Sequence, residues 1–126
     1  MEERFSVLRD KLFEIAGWTD TNIFTWAIFD ENGLPVFFDN LSWDQAENLE
    51  MALGAIVSKI GELVKDSAHY GLAMNLGTFE LKERHKLHYF RLSEMSLVVL
   101  TEYKVRGEER FLKNLSVSLE EIREVF

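Results

Sequence analysis

Residues 26–38 read WAIFDENGLPVFF. Strand-forming aromatic and branched residues run up to Phe29, Asp30 to Gly33 supply turn chemistry, and Leu34 begins a second extended run that reaches Asn40. The pattern predicts a β-hairpin with strands over 23–29 and 34–40. Pro35 has no N–H for a ladder, which sends the second strand to a sheet edge. The first strand is apolar at nearly every position and is expected to be covered on both faces.

Downstream of the hairpin, Ser42 and Gln45 stand at capping-box spacing, with Leu41 placed as a staple, so a long helix is expected from there to about Ala68, closing near Gly71. Its apolar stripe is Leu49, Leu53, Ile56, Ile60, Leu63 and Val64. Gly54, Ser58 and Gly61 fall on a separate flank, bordered by Met51 and Lys65. Each glycine costs a helix interior about 1 kcal/mol relative to alanine, so a close contact must offset it. Two contacts would serve: the same helix of a second copy of the chain, or bulky residues of the chain's own sheet.

The hairpin and long helix are framed by further elements. Phe5, Leu8, Leu12 and Ile15 form a helical stripe over 3–16, which Gly17 would end as a left-handed cap. After Gly71 the run LAMNLGTFELK alternates as a strand, its phase shifted at Gly77 as by a bulge. KLHYFRL and SLVVLTEY follow as two strands joined tightly at Ser93 and Glu94, hence antiparallel. A closing helix from Glu108 aligns Leu112, Leu115, Leu119, Ile122 and Phe126. The predicted fold is α+β in the order α-β-β-α-β-β-β-α: a five-stranded antiparallel sheet with the long helix on one face and the two terminal helices on the other. Residues 1–126 form a single domain without repeats or linkers.

Composition bounds the function. With 126 residues, 47% hydrophobic, the chain is long enough to bury one core. Its longest apolar run, Leu97 to Leu100, cannot span a bilayer, and the acidic start is unlike a secretory signal, so a cytoplasmic protein without membrane insertion is expected. No cysteine is present, which removes thiolate metal sites and disulfides. The net charge of −8 opposes binding to nucleic acid over the whole surface. Charge is also segregated. No Lys or Arg lies between Leu12 and Ser58, and the basic residues gather at Lys82, Arg84, Lys86 and Arg91. With Tyr89 and Phe90 this cluster has the residue types that hold single strands, but the negative field around it favours an acidic protein partner instead. The lysine-free hairpin and helix start would attract basic surfaces.

Candidate chemistry is sparse. His85 and His88, three apart on a strand, face opposite sides of the sheet and cannot share a metal. No phosphate-binding loop, nucleophile elbow or dinucleotide fingerprint occurs, and Asp30 and Glu31 read as turn residues. A non-enzymatic protein with no cofactor or metal is expected.

The order of elements, with WAIFDENGLPVFF followed by a long capped helix, resembles the roadblock domain, the fold of roadblock-type dynein light chains and of several small-GTPase regulators. Its sharpest match is Asp30-Glu31-Asn32-Gly33-Leu34-Pro35-Val36, similar to the family's strand, Asp-x-x-Gly turn and Leu-Pro continuation, and its layering is similar to that of profilin. The likeness covers residues 3 to 126. It implies a homodimer in which long helices pack together and third strands join into one sheet, which would place Met51, Gly54, Ser58, Gly61, Lys65, Leu72, Met74 and Leu76 at the interface. It further implies a scaffold or regulator of a Ras-like small GTPase, with Lys82, Arg84, Lys86 and Arg91 available as a partner surface. A different reading is a small-molecule sensor similar to PAS or GAF modules, with Trp26, Phe29, Phe79 and Phe90 lining a pocket.

Overall fold

A computed structural model describes residues 1–44, 48–103 and 107–126. The elements run α1 (Glu3–Thr19), β1 (Thr21–Phe29), β2 (Pro35–Asn40), α2 (Leu49–His69), β3 (Leu76–Glu80), β4 (His85–Leu92), β5 (Met95–Tyr103) and α3 (Gly107–Ile122). The five strands form one antiparallel sheet in the order β2-β1-β5-β4-β3. The expected fold class and element order are those observed, with β2 on one edge as Pro35 dictates.

Alternation along the strands sorts side chains into two cores. On one face, Trp26, Ile28, Phe90, Leu92, Leu97 and Val99 meet Phe5, Leu8, Leu12 and Ile15 of α1 and Phe111, Leu115 and Leu119 of α3. On the other, Ala27, Phe29, Leu87, Tyr89, Val98 and Leu100 meet Leu49, Leu53, Val57, Ile60 and Val64 of α2. Thr25 to Phe29 are buried throughout, as expected of a strand with β2 and β5 on its flanks and helices above and below.

Several boundaries depart from expectation, each for a local reason. Helix α1 runs through Gly17 to Thr19, whose hydroxyl donates to Ile15 O at 2.8 Å; the left-handed cap is Asp20, φ 55°, whose N–H donates to Ala16 O. Helix α2 begins at Leu49 after a left-handed Asn48, and Ser42 to Asp44 are not helical, so the capping box does not start it; Gln45 lies outside the described residues. Strand β3 starts at Leu76 and pairs with β4 in unbroken register from Leu76–Phe90 to Glu80–Lys86, without a bulge at Gly77. Residues 72–75 precede the strand as irregular chain.

Candidate interaction surfaces

The hairpin turn is built by Asp30. One carboxylate oxygen accepts from the N–H of Asn32 at 2.9 Å and of Leu34 at 3.0 Å, while Gly33, φ 81°, makes the left-handed step. This turn lies directly on α2. A Cβ on Gly54 would sit 2.6 Å from Gly33 O, and a Cβ on Gly33 would sit 2.5 Å from Gly54 O and 3.2 Å from Ser58 Cβ. Two backbones therefore touch at a spot where only hydrogen fits.

Gly54, expected at an interface between copies, makes this contact within its own chain. It is buried inside its own chain against the hairpin backbone, and Ser58 is half-buried beside it. The neighbours on that flank are the glycine turn and, at 3.6 Å from a Cβ on Gly54, the Phe29 ring of the chain's own sheet. Gly61 is different: its nearest such neighbour is Glu31 O at 3.9 Å, an ordinary contact. Met51 and Lys65 are exposed.

The apolar stripe of α2 is rotated correspondingly. Val57 takes a core position, whereas Ile56 and Leu63, expected in the core, are 39% and 50% exposed. At 100° per residue they lie on the flank opposite Gly54 and Ser58, in line with Ala52 and Tyr70, so the flank away from the hairpin is apolar and open. The β3 edge carries further uncovered apolar groups. Leu76 and Phe79 are exposed, as is Leu72 ahead of the strand. Met74 is not among them, since it packs against the α2-side core and accepts a hydrogen bond from the Ser67 hydroxyl at 3.0 Å.

The basic residues do not make one patch. Lys86 reaches Glu108 at 3.5 Å and Glu80 at 4.0 Å on the α3 side of the sheet. Arg91, odd-numbered on the same strand, points to the α2 side and lines a small cleft with Val57, Gly61 and Lys65. Lys82 and Arg84 sit in the 3-10 turn between β3 and β4; Arg84 borders the same cleft as Lys86, and Lys82 a different one. Strand alternation is the reason. The same alternation separates the aromatics proposed for a sensor pocket: Trp26 and Phe90 belong to the α1/α3 core, Phe29 to the α2 core, and Phe79 is on the outside. These four line no common cavity.

The histidines do face opposite sides. His85 stacks edge-on with Phe24 and Trp43, at 5.1 Å between centroids in each case. His88 is fully buried on the other face, with Nδ1 2.9 Å from Thr78 Oγ1 and Nε2 3.0 Å from Thr101 Oγ1 and 2.5 Å from Tyr103 OH. Burial, then the nearby Lys86 ammonium, push its imidazole down to about 4, and burial above all pushes the Tyr103 phenol up. The phenol thus keeps its proton, and the hydroxyls of Thr78, Thr101 and Tyr103 partner both ring nitrogens of His88. This network ties β3, β4 and β5 together. Sequence reading missed it, since a tyrosine, two threonines and a histidine on three strands become neighbours only through register. Among the described residues no group of three or more His, Asp or Glu is placed to hold a metal ion, and no helix is long and apolar enough to cross a membrane.

No protein-family model matches the sequence, and no curated protein matches it significantly. Solved structures do match its fold. A structure of MglB with tetrameric arrangement superposes with a TM-score of 0.70 at 14% identity, over 99% of this chain and 91% of that one. Myxococcus xanthus MglB superposes with a TM-score of 0.70 at 10% identity, over 99% of this chain and 98% of that one. A roadblock/LC7 domain from Streptomyces avermitilis gives 0.56 at 12% identity, over 87% and 92%. Identities this low speak to architecture alone. The chain therefore has the roadblock-domain fold.

Proposed function

We propose that this chain is a homodimeric interaction module that scaffolds or regulates a Ras-like small GTPase, performing no covalent chemistry itself. The observation that carries the self-association is the open apolar flank of α2, with Ile56 and Leu63, on the side away from the hairpin, together with a free β3 edge bearing Leu76 and Phe79. An uncovered apolar helix flank and an unpaired strand with exposed apolar residues are each costly in water, and pairing with a second copy covers both at once. A similar fold described as a tetrameric arrangement of MglB supports assembly between copies. The GTPase as client follows from the resemblance to roadblock regulators, and a two-fold platform is the shape such a client would meet.

Light scattering on the purified chain should give the mass of two chains. Replacing Ile56 and Leu63 together with glutamate should give the mass of one with secondary structure intact; an unchanged dimer would reject this interface. For the client, Ras-like GTPases of the source organism, loaded with GDP or GTP, should co-elute with the dimer in one nucleotide state more than the other. Equal failure in both states rejects the GTPase assignment while leaving the dimer standing.

A further inference from the structure

The opposite edge of the sheet is unlike β3. Leu41 N–H donates to Phe24 O at 2.9 Å, and in an antiparallel ladder the pairing alternates residue by residue, so Asp39 and Phe37 bond to β1 while the N–H and C=O of Phe38 and Asn40 point away from the sheet. Beside this edge runs an open cleft of about 830 Å³ between β2 and the first half of α2, bordered by Leu34, Phe38, Asn40, Met51 and Ala55. Met51, the most prominent of these, is 74% exposed.

Two acids stand at the edge, Asp39 in β2 itself and Glu50 on the border of the cleft. Neither is in an ion pair with another described residue, and no Lys or Arg occurs from residue 13 to residue 58. Two copies of such an edge repel each other, so the acids that guard β2 against self-pairing also select what it can accept.

We propose that the outer edge of β2, which pairs with no other strand among the described residues, and the adjoining cleft dock an extended, basic segment of a partner protein, which adds to the sheet as a further strand. Main-chain groups of the segment pair with those of Phe38 and Asn40. Successive side chains of an extended segment point to opposite faces, which matches what each face offers. On the α2 side, apolar side chains enter the cleft against Phe38, Met51 and Ala55, with Glu50 at its rim; on the other side, lysine or arginine meets Asp39. This surface is separate from the α2 flank and β3 edge assigned to self-association, so a dimer presents it twice.

The test is selection from a displayed library of random dodecapeptides on the purified chain, followed by synthesis of the enriched sequence. The enriched peptides should alternate apolar with Lys or Arg, and amide shifts on binding should centre on Phe38, Asn40 and Met51. Reversing half-buried Asp39 and exposed Glu50 together (Asp39→Lys, Glu50→Lys) should weaken binding by about tenfold, with the circular dichroism of the variant checked against the parent chain. N-methylating the peptide backbone at every second residue should abolish binding in one phase and be tolerated in the other, since only one phase faces β2. A library that enriches no basic sequence, shifts that map to β3 instead, or equal tolerance of both methylation phases would each overturn the proposal.

Discussion

Gly33 and Gly54 are in backbone contact: the carbonyl oxygen of each stands 2.5 to 2.6 Å from the point where a Cβ on the other would be. The turn of the edge hairpin is thereby seated on the long helix, and everything about the helix's rotation follows. With the glycine flank occupied, Val57 faces the sheet, and Ile56 and Leu63 are left outside.

The first prediction separates the two helix glycines. Gly54→Ala should destabilise the chain by about 2 kcal/mol or more, because the obstacle is backbone and cannot swing away. Gly61→Ala should be neutral or stabilise by up to about 1 kcal/mol, since the new methyl meets nothing closer than Glu31 O at 3.9 Å, an ordinary contact, and the helix gains propensity. Urea unfolding of the two variants decides it; equal losses would contradict the assigned contact.

A second prediction concerns the same helix in solution. If the glycine flank is filled internally, Gly61→Ala should leave the dimer's mass unchanged, whereas Leu63→Glu should weaken the dimer at least to the point of a concentration-dependent mass. Sedimentation over a range of loading concentrations reads both.

The buried His88 predicts an acid sensitivity. Its imidazole titrates near 4 in the folded chain against about 6.5 when unfolded, so between those values the unfolded state binds the extra proton. Stability should therefore be full above pH 6.5 and fall as pH drops toward 4, by about 3 kcal/mol from this group. In His88→Gln the slope of stability against pH in that window should be lower by about one proton.

The partners of His88 should behave as a unit. Tyr103→Phe leaves Nε2 with Thr101 Oγ1 at 3.0 Å, and Thr101→Val leaves it with Tyr103 OH, so each single change should cost about 1 kcal/mol. The double variant strands a buried nitrogen and should cost more than the sum. A double-mutant cycle showing strict additivity would mean the two hydroxyls do not share that nitrogen.

What the sequence by itself determined was most of the local structure, though not the cap of α1, the start of α2 or the regular register at Gly77. The turn at Asp30 to Gly33, the edge placement of β2 from Pro35, the covered β1, the tight β4–β5 join and the helical stripe of α1 all follow from residue chemistry at spacings of a few positions. The opposite facing of His85 and His88 was legible for the same reason, being a matter of strand period alone. What only the tertiary structure decided was which of several apolar or small-residue faces meets which neighbour. Leu49, Leu53, Ile56, Ile60, Leu63 and Val64 span a broad arc of α2, and hydrophobicity cannot say which side of that arc is covered. The seating of Gly33 on Gly54 turns the helix and so decides it, through a contact between residues far apart in the chain whose only common property is having no side chain.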